Sequence, residues 1–232
     1  MRVDDADVHY LRWGDPTSTP GVVFVHGGAA HAHWWSHVAP AFVPHQSAVA
    51  VDLTGHGDSG HRETYELATW CAEVAAVIED AGFTTPPVLV GHSMGGFVVT
   101  ATAALHPERI GGAVIVDSPI IAPDPEVKAA RVSDQFANAK TYDDLETAVA
   151  RFRVVPEQDV ILPYVGDHVA RHSLRETDEG WTWKFDRRIF VPRRGQAAEY
   201  LSRVRSRVAL LRSENGLVTE DIGRHMYEQL NR

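Results

Sequence analysis

Five short apolar runs recur along the 232 residues: Val22-Val23-Phe24-Val25, Ala48-Val49-Ala50-Val51, Val88-Leu89-Val90, Ala113-Val114-Ile115-Val116 and Val208-Ala209-Leu210-Leu211. Continuous runs of this length mark strands buried on both faces, as in a parallel sheet covered by helices. Between them the period changes. From Tyr65 to Ala81 the apolar positions Leu67, Trp70, Cys71, Val74, Val77 and Ile78 recur every three or four residues, the mark of an amphipathic helix, and Gly82 closes it. Such alternation predicts an α/β chain whose mostly parallel sheet carries helices on both faces and whose site lies at the carboxyl ends of the strands. The same reading places a strand over Val8 to Trp13 and helices over His33 to Phe42, Met94 to Leu105 and Thr219 to Leu230. The helix from Met94 to Leu105 stops ahead of Pro107.

The alternation lapses after Asp117. Pro119, Pro123 and Pro125 break the chain, and Glu126 to Phe152 reads as helical with no clear strand. The expected division is therefore a core of residues 1–122 and 195–232, with a mainly helical cap over 123–194.

Composition narrows the function classes. At 44% hydrophobic and 23% charged residues the chain is an ordinary globular one. A formal charge of −9 disfavours nucleic acid and anionic membranes as partners. No apolar run approaches the roughly 20 residues of a membrane span, and the start Met1-Arg2-Val3-Asp4-Asp5 lacks a secretory signal's apolar core, so a cytoplasmic location is expected. The single cysteine, Cys71, falls inside a helical pattern and is expected to pack. Arg187, Arg188, Arg193 and Arg194 read as a solvated basic strip.

The chemistry concentrates where apolar runs end in small residues. Val88-Leu89-Val90 runs into Gly91-His92-Ser93-Met94-Gly95-Gly96, which satisfies G-x-S-x-G between a strand and a helix and makes Ser93 the candidate nucleophile. Val22-Val23-Phe24-Val25 ends in His26-Gly27-Gly28, where backbone N–H groups can approach a ligand, and the run over 113–116 closes on Asp117. Leu53-Thr54-Gly55-His56-Gly57-Asp58-Ser59-Gly60 lacks the spacing of a phosphate-binding loop. His31, His33, His37, His56 and His61 read as scattered and exposed, so neither a metal nor a cofactor is expected.

In order and spacing these segments resemble the α/β-hydrolase superfamily, specifically its small, capped, esterase-like members. His26-Gly27-Gly28 is similar to the family's oxyanion loop, Asp52-Leu53-Thr54-Gly55-His56-Gly57-Asp58-Ser59 to its D-x-x-G-x-G-x-S loop, and Gly91 to Gly96 to its nucleophile elbow; Gly180 to Asp186 looks like the segment leading out of the cap. The resemblance implies an acyl-enzyme on Ser93, with the backbone N–H groups of Gly28 and Met94 holding the oxyanion. The acid is expected at Asp117 rather than Glu214, because the loop after the 208–211 run carries no aspartate. The family's base follows one further strand. His225 sits on a helical stretch ahead of that point and reads as solvated, so the base is expected beyond residue 232. Trp34 and Trp181, with Trp35, Trp183 and Phe136, are candidates for an apolar substrate pocket. A small, largely apolar ester is the implied substrate. Carbon–carbon bond hydrolases, thioesterases and lactonases share the arrangement, and the rival reading is a catalytically impaired, ligand-binding relative. The oligomeric state is not legible in the sequence.

Overall fold

The computed structural model describes residues 1–17, 20–43, 45–121, 140–154, 157–158, 161–190 and 197–230. A short antiparallel hairpin, β1 (Arg2–Val3) and β2 (Ala6–Asp7), leads into β3 (Tyr10–Trp13), β4 (Gly21–Val25), β5 (Ser47–Val51), β6 (Val88–His92) and β7 (Gly112–Val116). With β10 (Val208–Leu211) the last five form one sheet in the order β10-β7-β6-β4-β5-β3, parallel except for the antiparallel edge strand β3. The apolar runs are strands as expected, and every residue of β4 and β5 is buried.

Burial on both faces follows from the period of two. Val23, Val25, Val49 and Val51 point into the larger core beneath α1 (Leu67–Asp80) and α2 (Met94–Leu105), while Val22, Phe24, Ala48 and Ala50 point to the other face. Each fully buried valine or phenylalanine contributes about 1.5–3 kcal/mol of apolar transfer. Cys71 is buried in α1 and donates to the Val98 carbonyl of α2 at 3.6 Å; burial pushes its thiol up to about 11, so it packs rather than reacts.

The second face departs from expectation. No α-helix spans His33 to Phe42; two 3₁₀ turns, Ala32–Trp35 and Ala39–Phe42, cover the sheet instead. Pro40 has no N–H to continue a helix. The two turns let Trp35 stack on Phe24 with centroids 4.7 Å apart while Phe42 meets the same ring edge-on at 5.4 Å.

Between β7 and β10 lie α3 (Leu145–Ala150), α4 (Pro163–His172), the hairpin β8 (Leu174–Thr177) with β9 (Gly180–Trp183), and α5 (Ala198–Leu201). Within the segment expected to be mainly helical, the hairpin is a strand pair that the sequence reading did not place: Trp181-Thr182-Trp183 alternates aromatic and β-branched residues and pairs across a turn. Positions 123 and 194, and Phe136, lie outside the described residues. α6 (Glu220–Leu230) follows β10 and buries Met226. Among the described residues β10 pairs only with β7, and Leu211 is 54% exposed. Also among them, no helix is long and apolar enough to cross a membrane.

Candidate active site

The strand order reverses at β4 and β6: the chain leaves β4 toward β5 on one side and β6 lies on the other. Loops leaving two adjacent parallel strands in opposite directions open a crevice at their carboxyl ends. The loop after β4 carries His26-Gly27-Gly28, and Ser93 directly follows β6.

Ser93 has φ 51° and ψ −116°, a conformation L residues rarely adopt, at the junction of β6 and α2. Crowding on both sides imposes it. A Cβ on Gly91 would overlap the Gly95 carbonyl, and one on Gly95 would overlap the Val25 carbonyl and lie 2.6 Å from that of His26. α2 therefore starts in contact with the end of β4, and a Cβ on Gly27 would lie 3.3 Å from the Ser93 Cβ. The Ser93 N–H continues the ladder to the Val116 carbonyl at 3.0 Å. Among the described residues the N–H groups of Gly28 and Met94 have no hydrogen-bond partner; Gly28 and Ala29 form the corner of a turn closed by Ala30 N–H to Gly27 carbonyl at 3.2 Å, with Ala29 at φ 60°. Met94 is the first residue of α2, where N–H groups point outward unpaired.

His26 fixes this loop. The Leu53 N–H donates to its Nε2 at 3.1 Å, so the ring proton sits on Nδ1, facing the Gly27 carbonyl at 2.7 Å, and burial lowers its pKa. Asp52 is the second pin. Buried, it accepts from the Ala32 N–H at 2.6 Å, the Asp58 N–H at 3.0 Å and His9 Nδ1 at 2.7 Å. Although burial opposes its charge, these donors, His9 foremost, hold its carboxyl at about 2. The glycines of this loop have a packing role: a Cβ on Gly57 would overlap the Asp52 carboxylate.

Asp117 stands at the end of β7 with φ 44°, nearly buried. Its two carboxylate oxygens accept the N–H groups of Leu217, at 2.8 Å, and Val218, at 3.1 Å, in the loop after β10. Glu214, in the same loop, is exposed, and so is His225 on α6. Among the described residues neither the Ser93 hydroxyl nor the Asp117 carboxylate is hydrogen-bonded to an imidazole.

The aromatic candidates divide. Trp35 belongs to the core. Trp34, half-buried beside it, starts a row in which its ring meets Phe152 at 6.2 Å, Phe152 meets Trp183 at 6.2 Å and Trp183 meets Tyr142 at 6.2 Å. Trp181 is half-buried on the same hairpin, held by paired backbone hydrogen bonds to Tyr142 of 2.7 and 2.9 Å.

The expectation of scattered, exposed histidines holds for His37 and His61 and is corrected for His31, His33 and His56. His31 and His56 are buried, and burial lowers the pKa of His31 to about 3. His33 stacks on His172 with centroids 3.7 Å apart and meets His168 at 5.2 Å. Burial and these two neighbours bring its pKa to about 4. His168 and His172, overlooked in the sequence, stand four residues apart on α4; that spacing within a helical pattern was the available signal.

The comparisons with known proteins agree with this architecture. A model of the alpha/beta hydrolase fold matches residues 20–209. The chain belongs to the α/β-hydrolase family. It is 30% identical over 201 residues to an esterase of Mycobacterium tuberculosis, covering 80% of this chain and 62% of that protein. A lipase of the same organism is 28% identical over 178 residues, 77% of this chain and 66% of its own length. The chain thus spans about two thirds of the length of these two relatives. Among solved structures, the thioesterase domain from the curacin biosynthetic pathway superposes with a TM-score of 0.81 at 25% identity, covering 100% of this chain and 87% of that domain.

Proposed function

We propose that this α/β-hydrolase is a serine hydrolase that cleaves a small, largely apolar ester or related acyl compound through an acyl-enzyme on Ser93. The observation that carries this is the strained Ser93 at the strand end, facing a turn whose Gly28 N–H is unpaired among the described residues, as is the N–H of Met94 that begins its own helix. Ser93 Oγ attacks the acyl carbon, the two N–H groups hold the developing oxyanion, and the alcohol leaves. Water then releases the acid and restores the hydroxyl. Each oxyanion donor contributes about 3–4 kcal/mol to the transition state. Asp117, beside the nucleophile's strand, takes the role of the acid that orients an imidazole base. Trp34 and Trp181 line the acyl pocket under a cap formed by the segment between β7 and β10. The esterase and lipase relatives support ester chemistry, and the thioesterase neighbour supports acyl transfer generally.

A serine-reactive fluorophosphonate probe tests the nucleophile: the protein is expected to label and Ser93→Ala to remain unlabelled. Equal labelling of both would overturn the assignment.

The absence of an imidazole bonded to Ser93 among the described residues favours a second reading, a ligand-binding protein without turnover. Hydrolysis of p-nitrophenyl acetate that disappears in Ser93→Ala supports the enzyme, whereas the same background rate in both supports the binder.

A further inference from the structure

His33, His168 and His172 each present a ring nitrogen, and these atoms lie within 4.8 Å of one another. The three come from two elements packed together, the 3₁₀ turn after the oxyanion loop and the helix α4. A structural reading would pair these nitrogens with protein acceptors or donors, and that happens only in part. The Nδ1 of His172 faces the His168 carbonyl at 2.8 Å, which places its proton there and leaves the Nε2 lone pair free. This backbone contact is the type that orients metal-binding imidazoles. The His168 Nε2 is buried and has no partner among the described residues. For His33, Nδ1 makes one long contact to Ser36 Oγ at 3.4 Å, leaving Nε2 uncommitted.

The other comparable group among the described residues differs. In His9, Asp52 and Asp58, the Asp52 carboxylate already accepts two backbone N–H groups and His9, so its lone pairs are committed to holding the loop.

We propose that His33, His168 and His172 form a binding site for a borderline divalent transition cation of the zinc type, bridging α4 to the turn that carries Trp34. Three neutral nitrogen ligands and a water complete a tetrahedron, and imidazole donors select zinc, cobalt, nickel or copper over magnesium or calcium. Zinc–nitrogen bonds of about 2.1 Å set ligand nitrogens roughly 3.4 Å apart. The present separations therefore require a closure of at most about 1.4 Å, within reach of half-exposed side chains rotating about χ1 and χ2. The pair at i and i+4 on one helix face supplies two ligands without moving the backbone. An occupied site clamps α4 against the loop next to the candidate oxyanion donors. The proposal does not depend on Ser93 being a nucleophile.

The test is calorimetric titration of zinc into the untagged protein, with cobalt absorption as a second readout. One saturable site is expected, with visible d–d bands of a low-coordinate cobalt complex. Affinity should fall at least tenfold in His172→Gln and in His168→Asn, and stay unchanged in His61→Asn and His106→Asn. Zinc at a hundred times Kd should raise the unfolding midpoint by about 5–10 °C in the wild type and by much less in His172→Gln. The half-exposed His172→Gln keeps the test valid if His168→Asn folds poorly. Equal zinc affinity in wild type and His172→Gln, or no saturable binding below about 100 μM, would overturn the proposal.

Discussion

The conformation of Ser93 can be weighed by two substitutions that differ in one carbon. Ser93→Ala removes the hydroxyl but keeps Cβ, and with it the cost of holding φ at 51° and ψ at −116°. Ser93→Gly removes that cost, because glycine adopts positive φ freely. A residue held in such a region stores about 1–3 kcal/mol. Glycine gives back about 0.5–1 kcal/mol through the greater freedom of the unfolded chain. The balance makes Ser93→Gly more stable than Ser93→Ala by about 1–2 kcal/mol, or roughly 2–8 °C in unfolding midpoint for a chain of this size. Urea unfolding of the two variants at equal m-value measures the difference. Ser47 provides the control: buried at the start of β5 in ordinary extended backbone, it should show the opposite order, with Ser47→Ala the more stable of its pair by about 0.5–1 kcal/mol. If Ser93→Ala is as stable as Ser93→Gly, the elbow stores no more than about 0.5–1 kcal/mol, the amount that glycine gives back, and backbone strain is not what positions the hydroxyl.

Two further outcomes follow from the carboxylates around the crevice. Asp52 is held at about 2 against an ordinary 3.8, so it contributes about 2 kcal/mol that is fully present above pH 4 and is lost as pH falls toward 2. The stability gap between wild type and Asp52→Asn should therefore narrow across that window, and a gap constant between pH 5 and pH 2.5 would refute the role given to Asp52. Asp117→Ala leaves the Leu217 and Val218 amides without their acceptor and should cost about 2–4 kcal/mol, with Asp117→Asn, which keeps one acceptor oxygen, costing about half as much; hydrogen exchange at those two amides should accelerate in the alanine variant, and unchanged exchange would contradict the contact.

What the sequence made legible is what neighbours in the chain decide. β4 and β5 announce themselves because burial on both faces favours apolar residues, and the elbow does so because its crowding lies within five consecutive positions. The family assignment rests on the same local segments. What remained hidden was set by partners far away. Trp34 and Trp35 are identical in sequence terms; only the Phe24 ring beneath the 3₁₀ turn draws Trp35 into the core and leaves Trp34 facing Phe152. His31 reads as exposed because its partner, the Ser173 hydroxyl at 2.8 Å, lies 142 residues later. That hydroxyl donates to the Val169 carbonyl, so His31 must donate from Nε2. The histidine cluster has the same origin, a turn after β4 meeting a helix from beyond β7.

The contrast separates two kinds of positioning within one site. Ser93, Gly28 and Met94 are set by backbone contact: with no room for a Cβ at Gly91 or Gly95 and little at Gly27, the spacing between the candidate nucleophile and the candidate oxyanion turn is a van der Waals distance. Such contacts are stiff, because close-packed backbone has no rotamer to change. Trp34, Trp183 and the cluster of His33, His168 and His172 are set by side chains reaching across from separate elements, each with torsions to spare. Substitutions in the segment between β7 and β10 are therefore free to reshape what enters the crevice while the Ser93–Gly28 geometry stays fixed. On this argument, affinity for substrate and for metal should vary with α4 and the hairpin, and the capacity to hold an oxyanion should vary only with the glycines.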